Sequence, residues 1–238
     1  MSMRQSDMSP GGTVMGGQEK VLVAWSGGKD SALAVCEIKK SGRYGIESFF
    51  CTLTEPFDRV SMHGVRRTLI ERQALAIGCT LTEVFIPYPC SNESYESLMT
   101  DALLPHRDSG IQKVVFGDIF LEDIRKYREG QMKKIGMSCL FPLWGKDSLV
   151  LARSFVDAGF RAVITCVDST RLDRTYVGRI MDHAFLGDLP EGVDPSGENG
   201  EFHTFVFDGP LFGQPVSFKI GEIRLREERF YFCDLIPA

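Results

Sequence analysis

Ser26-Gly27-Gly28-Lys29-Asp30-Ser31 follows directly on the apolar run Val21-Leu22-Val23-Ala24-Trp25, and Ala32 to Lys40 then reads as an amphipathic helix. A buried strand, a glycine turn and a helix in that order demand an α/β unit with the turn at a strand's carboxyl end. Two adjacent glycines let the backbone approach a bulky anion and turn N–H groups toward it. The helix start adds unpaired N–H groups and the positive end of its dipole. Lys29 supplies a full charge, and Ser26 and Ser31 supply hydroxyl donors. The spacing describes a phosphate cradle. It is not the Walker loop, because Asp30 rather than Ser or Thr follows the lysine. It is not a dinucleotide fingerprint, because the third glycine is missing.

The rest of the chain extends that unit. Strand-like runs at 21–25, 46–53, 82–86, 113–117 and 161–167 alternate with helical patterns at 64–77, 92–104, 121–135 and 147–158. Such alternation implies a parallel sheet with helices on both faces. Ser91 or Asn92 can cap the second of these helices and Asp147 the fourth. A Gly, Pro and acidic stretch at 187–200 ends the pattern, and short alternating runs at 202–207, 215–220 and 229–235 follow, the first two joined by an Asp208-Gly209 turn. Three parts are therefore expected: a disordered leader at 1–19, an α/β domain at 20–186, and a loop and β appendage at 187–238 that handles the acceptor.

Composition narrows the function. The net charge is −5 with no block of Lys and Arg, which disfavours a nucleic-acid partner. No apolar run reaches membrane-spanning length, and no membrane partner is expected. The seven cysteines form no CxxC pair and lie mostly in apolar runs, so free thiols in a reducing cytoplasm are expected rather than a metal site. Cys166, near a strand end, is the one cysteine to weigh as a nucleophile, with a plain buried thiol as the alternative. The C-terminal strands offer an edge on which a homodimer could form.

Four further groups carry chemistry. Gly117-Asp118 ends a strand at the rim of the cradle; the glycine admits a ligand, and the carboxylate suits Mg²⁺ or a ribose hydroxyl, or merely caps a helix. Asp30 and Asp118 are the candidate Mg²⁺ carboxylates. Thr52 and His63 are candidates for the adenosine side, His63 with a plain surface or capping role as the alternative. Arg125 and Glu129 have the spacing of a solvated helix pair. Glu198, Glu201 and His203 crowd one Gly-rich loop entering a strand, where Glu201 and His203 would share a face as an acid/base pair or clamp. The alternative is an acidic surface turn.

The cradle resembles the SGGxDS loop of the PP-loop ATP pyrophosphatases, which split ATP into AMP and pyrophosphate. From Lys20 onward the ordered blocks resemble the ATP-binding family that includes the diphthine–ammonia ligases: SGGKDS, Gly117-Asp118-Ile119, Arg125 to Glu129, Pro142-Leu143-Trp144, Gly178-Arg179, Asp182, and Gly197 to Thr204 leading to Asp208-Gly209-Pro210. The resemblance implies a HUP-type, Rossmann-like five-stranded parallel sheet in the order 3-2-1-4-5. It also implies an AMP-forming ligase that adenylates a carboxylate, on a small molecule or a modified protein side chain, and displaces AMP with ammonia. ATP and Mg²⁺ would be required, and Ser26, Gly27, Gly28, Lys29, Asp30, Ser31, Thr52, His63, Gly117 and Asp118 would hold the nucleotide, with Lys29, Glu198, Glu201 and His203 serving the reaction. Asn199 stands where the family has Gly, and His203 where it has Glu, so the chain looks closer to a bacterial branch with another acceptor. A non-catalytic nucleotide sensor and a sulfur-transferring PP-loop enzyme remain the alternatives.

Overall fold

The computed structural model describes residues 17–238. Most of the expected leader therefore lies outside the described residues, and Glu19 already belongs to a strand. That strand, β1 (Glu19–Ala24), alternates its side chains between two cores. Val21 and Val23 join one cluster with Ala32 and Val35 of α1 (Lys29–Ser41) and Leu69 and Ile70 of α2 (Arg67–Ile77). Leu22 faces the other way, with Leu103 of α3 (Asn92–Asp108) and Met132 of α4 (Glu122–Lys134). Helices thus cover both faces of the sheet.

The other parallel strands are β2 (Tyr44–Thr54), β4 (Thr80–Ile86), β5 (Lys113–Val115) and β6 (Ser138–Leu140). Pairing gives the order β4-β2-β1-β5-β6, which is the expected third, second, first, fourth, fifth. A two-residue strand, β3 (Arg59–Val60), pairs antiparallel with the end of β2. The order reverses direction on either side of β1, so ligands are drawn to that strand's carboxyl end. There Trp25 stacks on Phe49, with ring centroids 4.4 Å apart and planes 7° from parallel.

The fifth parallel strand is not the expected 161–167. It is the three-residue β6, too short to read as an apolar run. Strand β7 (Arg161–Asp168) sits instead inside a second, antiparallel sheet ordered β8-β7-β10-β9, with β8 (Phe202–Asp208), β9 (Phe218–Arg226) and β10 (Phe230–Pro237). Its residues from Ala162 onward are all buried, and a continuously apolar strand does not reveal which sheet buries it. The Asp208-Gly209 turn does not join a hairpin either. Strands β8 and β9 lie at opposite edges of this sheet, and β9 pairs with β10.

Caps follow the sequence closely. Ser91 accepts from the Ser94 N–H at the start of α3, and Asp147 accepts from Val150 N–H at 2.8 Å at the start of α5 (Ser148–Asp157). Asp182 caps α6 (His183–Gly187) in the same way. Among the described residues no helix is long and apolar enough to cross a membrane.

Candidate active site

The cradle joins β1 to α1, and the second sheet completes it. Gly27 has φ +78°, and a Cβ there would sit 2.5 Å from Ile70 Cδ1 and 2.6 Å from Gln73 Oε1, so glycine is required by both backbone and space. Gly28 is the N-cap of α1 and has no side chain to spend on the helix. The Asp30 and Ser31 N–H groups, in the first turn, have no intrahelical acceptor. Ser26 Oγ accepts from Gly28 N–H at 3.3 Å and lies 3.5 Å from Ser31 Oγ. All six cradle residues are thus at the carboxyl end of β1, where a phosphate would meet backbone donors, two hydroxyls and Lys29.

Strand β8 is an edge strand, and its free edge is covered by the cradle. Val206 N–H donates to Gly27 O at 2.9 Å, and Val206 O accepts from the Gln73 side-chain amide. The same amide donates to Gly27 O at 3.0 Å, and Gln73 Oε1 accepts from Trp25 Nε1–H at 3.0 Å. Lys29 N–H donates to Thr204 Oγ1 at 3.0 Å. The pairing groups that an edge strand leaves exposed here fix the loop's shape. Gln73 is fully buried on the apolar face of α2, among Leu69, Ile70 and Ala74. A lone polar residue at that spacing was the available sequence signal. Thr204 lay in the recognised loop without a role.

Lys29 is 3% exposed. Its Nζ bonds both carboxylate oxygens of Asp30, at 2.7 and 2.9 Å, and lies 5.6 Å from the centre of the Phe202 ring. Desolvation pushes the Asp30 carboxyl above its ordinary value; Lys29 opposes this, and Asp194 and Asp118 push it further up. Strand β5 stops at Val115, short of the expected 117, so Asp118 lies in the loop three residues beyond it, next to Gly117, whose Cβ would lie 2.9 Å from the Asp30 backbone carbon. Arg128 Nε donates to Asp118 Oδ1 at 3.1 Å and lies 2.8 Å from Oδ2, so the carboxylate is ion-paired through both oxygens. Arg125 pairs with Glu129 at 2.9 Å, as the helix spacing implies.

The late loop reaches the same rim. Glu198 Oε1 accepts from Ile119 N–H at 2.7 Å, directly after Asp118. Desolvation pushes the Glu198 carboxyl up to about 7, against the Ile119 hydrogen bond, and Asp30 adds to the rise. The expected pairing of Glu201 with His203 on one strand face does not occur. Strand β8 begins only at Phe202, and Glu201 is buried inside the loop. Its Oε1 accepts from Asp194 N–H and the Asn199 side chain, and its Oε2 from Asn199 N–H. Asn199 thus anchors the loop through Glu201.

His203 meets a different partner, His63, with ring centroids 4.5 Å apart. His63 also reaches the cradle: its Nδ1 is 3.4 Å from Thr204 O, and its Cε1 would lie 3.0 Å from a Cβ on Gly28. Desolvation lowers His63 to about 4 and holds His203 well below the usual imidazole range, with Lys29 lowering both further. Both rings are neutral near pH 7. Thr52 lies at the carboxyl end of β2, its carbonyl accepting from Ser61 N–H at 3.0 Å in the loop that carries His63.

His203 lines a cleft of about 760 Å³ between that loop and strands β9 and β10. Cys166 lies on its wall, but burial pushes the thiol up to about 12, leaving a poor nucleophile. The cleft was not legible beforehand, because its walls come from segments more than a hundred residues apart in the chain.

The diphthamide synthase N-terminal domain family matches residues 19–139, and the C-terminal domain family matches residues 147–234. The chain belongs to the diphthamide synthase family. Curated relatives agree. The human diphthine–ammonia ligase is 27% identical over 140 residues, which is 56% of this chain and 52% of that protein. The Schizosaccharomyces pombe enzyme is 30% identical over 128 residues, 52% of this chain and 21% of the relative. The mouse enzyme is 26% identical over 155 residues, 63% and 56%. The chain thus spans about half the length of the mammalian relatives it matches and about a fifth of the yeast one.

Proposed function

We propose that this chain is an ATP-dependent, AMP-forming ligase that joins ammonia to an activated carboxylate. The observation that carries the reading is the His63–His203 pair. It connects a phosphate cradle on one side with a ligand-sized cleft on the other. The names of the family and of its relatives support the same class of reaction.

On this reading the ATP triphosphate lies along Gly27 to Ser31. The acceptor carboxylate attacks the α-phosphate, pyrophosphate leaves, and ammonia then displaces AMP from the acyl carbon. Lys29 leaves Asp30 for the phosphates and offsets the charge of departing pyrophosphate. Mg²⁺, when bound, neutralises phosphate oxygens. The donors are carboxylates of the right kind: Asp30 is held by Lys29 Nζ and Asp118 by Arg128, and each would exchange that cation for the ion. Among the described residues no three such ligands converge, which suits an ion that typically takes one or two carboxylates and completes its shell with phosphate and water. The neutral imidazoles of His63 and His203 orient the attacking amine by accepting its hydrogen bonds. Glu198 has a proton affinity suited to receive the proton the amine loses. Glu201 and Asn199 hold the loop. Thr52 and His63 flank the nucleoside.

The test is the product of ATP turnover. With Mg-ATP, ammonium and a pool of carboxylates, AMP and pyrophosphate are expected, and Lys29→Ala abolishes both. ADP as the product refutes the mechanism. Tight ATP binding with no turnover in any pool favours a nucleotide sensor.

A further inference from the structure

The cleft beside the cradle is apolar on its walls and basic at its rim. Phe57, Met62 and Tyr88 line it while 47%, 68% and 58% exposed, among the most exposed large apolar residues described. The Phe57 and Tyr88 rings are 5.4 Å apart. Phe230 and Phe232 of β10 form the facing wall. Apolar side chains gathered in a concavity of this size mark a ligand surface rather than a solvated loop.

The charges say which ligand. Arg59, Arg66, Arg224 and Arg226 line the cleft, against Glu222, Glu227 and Asp234. Arg59 and Arg66 share the single carboxylate of Asp234, at 2.8 and 2.7 Å. Arg224 is paired with Glu222. Arg226 has no ion pair among the described residues, and its guanidinium lies 5.8 Å from the centre of the Phe57 ring. A guanidinium standing over an aromatic wall, with no protein carboxylate bound, is placed to take a carboxylate bidentately. The surplus is positive, so a quaternary ammonium group, which aromatic rings alone would attract, meets repulsion here.

We propose that this cleft takes a small, flat, apolar-bodied acid with at least two carboxylates, one presented to the cradle past His203 and another bound by Arg226 at the rim. The reaction of the carboxylate presented to the cradle rests on the ligase reading, but the binding chemistry can be tested separately. Calorimetric titration of the full chain would compare terephthalate and naphthalene dicarboxylate with naphthoate and (carboxyphenyl)trimethylammonium. The dicarboxylates are expected to bind about fivefold more tightly than naphthoate, the upper range for an exposed charge pair. Arg226→Ala and Arg226→Gln should each erase that preference. Arg226 is solvent-exposed, so both variants are expected to fold. No binding of either dicarboxylate, a preference that survives both variants, or tightest binding of the ammonium probe overturns the proposal. If the Arg226-dependent preference is found and Mg-ATP never yields AMP, the ligase reading falls and the acid-binding cleft stands. If AMP forms with an acceptor whose KM ignores Arg226, the ligase reading stands and the cleft assignment falls.

Discussion

Replacing Gln73 with Leu removes one side chain from the junction of three segments while nearly keeping its shape. Trp25 Nε1–H and Val206 O each lose the partner Gln73 supplies, whereas Gly27 O keeps its bond from Val206 N–H. An orphaned buried polar group costs about 1–3 kcal/mol. Two of them sum to about 2–6 kcal/mol, a large part of the 5–15 kcal/mol typical of a folded domain. The Gly27 carbonyl also loses one of two restraints, worth about 1 kcal/mol, so nucleotide affinity should weaken about fivefold. Urea unfolding reads the first quantity, and calorimetry with a non-hydrolysable ATP analogue reads the second. Gln73→Glu sharpens the test. Its carboxyl would face two carbonyls and can donate to one of them only when protonated, so its folded-state pKa is raised. Stability is then fully present below the ordinary carboxylate range and lost as pH rises through the raised value. Gln73→Glu should approach the wild type in acid and fall toward Gln73→Leu at neutral pH. A cost under about 0.5 kcal/mol for Gln73→Leu, with unchanged nucleotide affinity, would show that Gln73 does not tie the cradle to β8.

Other outcomes follow from single residues. Gly117→Ala places a Cβ 2.9 Å from the Asp30 backbone carbon; the first turn of α1 must shift, and ATP affinity should drop at least about tenfold with the fold retained, as calorimetry and circular dichroism would show. Lys29→Ala should lower AMP formation by about a hundredfold or more, read by resolving AMP from ADP; a milder loss would mean the lysine does not stabilise the leaving pyrophosphate. Asp234 is held down to about 2, chiefly by Arg66 and then by Arg59, from an ordinary 3.8. Because its folded value is depressed, its contribution of at most about 2 kcal/mol is present above pH 3.8 and lost as pH falls through about 2. Asp234→Asn should therefore destabilise at pH 7 and converge with the wild type near pH 2 in denaturant titrations; a constant gap would sink the assignment.

What the sequence revealed and what it hid divide by range along the chain. The strand–turn–helix at 21–40, the caps Ser91 and Asp147, and the Gly117-Asp118 step beyond β5 are local, and each is set by residues within a few positions of one another. The parallel order could be stated because a family resemblance supplied it; three-residue strands such as β5 and β6 carry too little pattern to do so alone. β7 was misplaced because burial looks the same from inside either sheet. The site's decisive contacts were out of reach, since Val206 with Gly27, Thr204 with Lys29, and His203 with His63 each join residues 140 or more positions apart. These contacts share one cause. A four-stranded sheet left alone would expose the N–H and C=O groups of β8, and the phosphate loop left alone would lack a fixed carbonyl orientation at Gly27. Docking one against the other answers both needs and sets the cleft that His203 lines beside the cradle. The geometry that stabilises the second sheet is therefore the same geometry that shapes the cradle, and a substitution on β8 should alter stability and nucleotide affinity together.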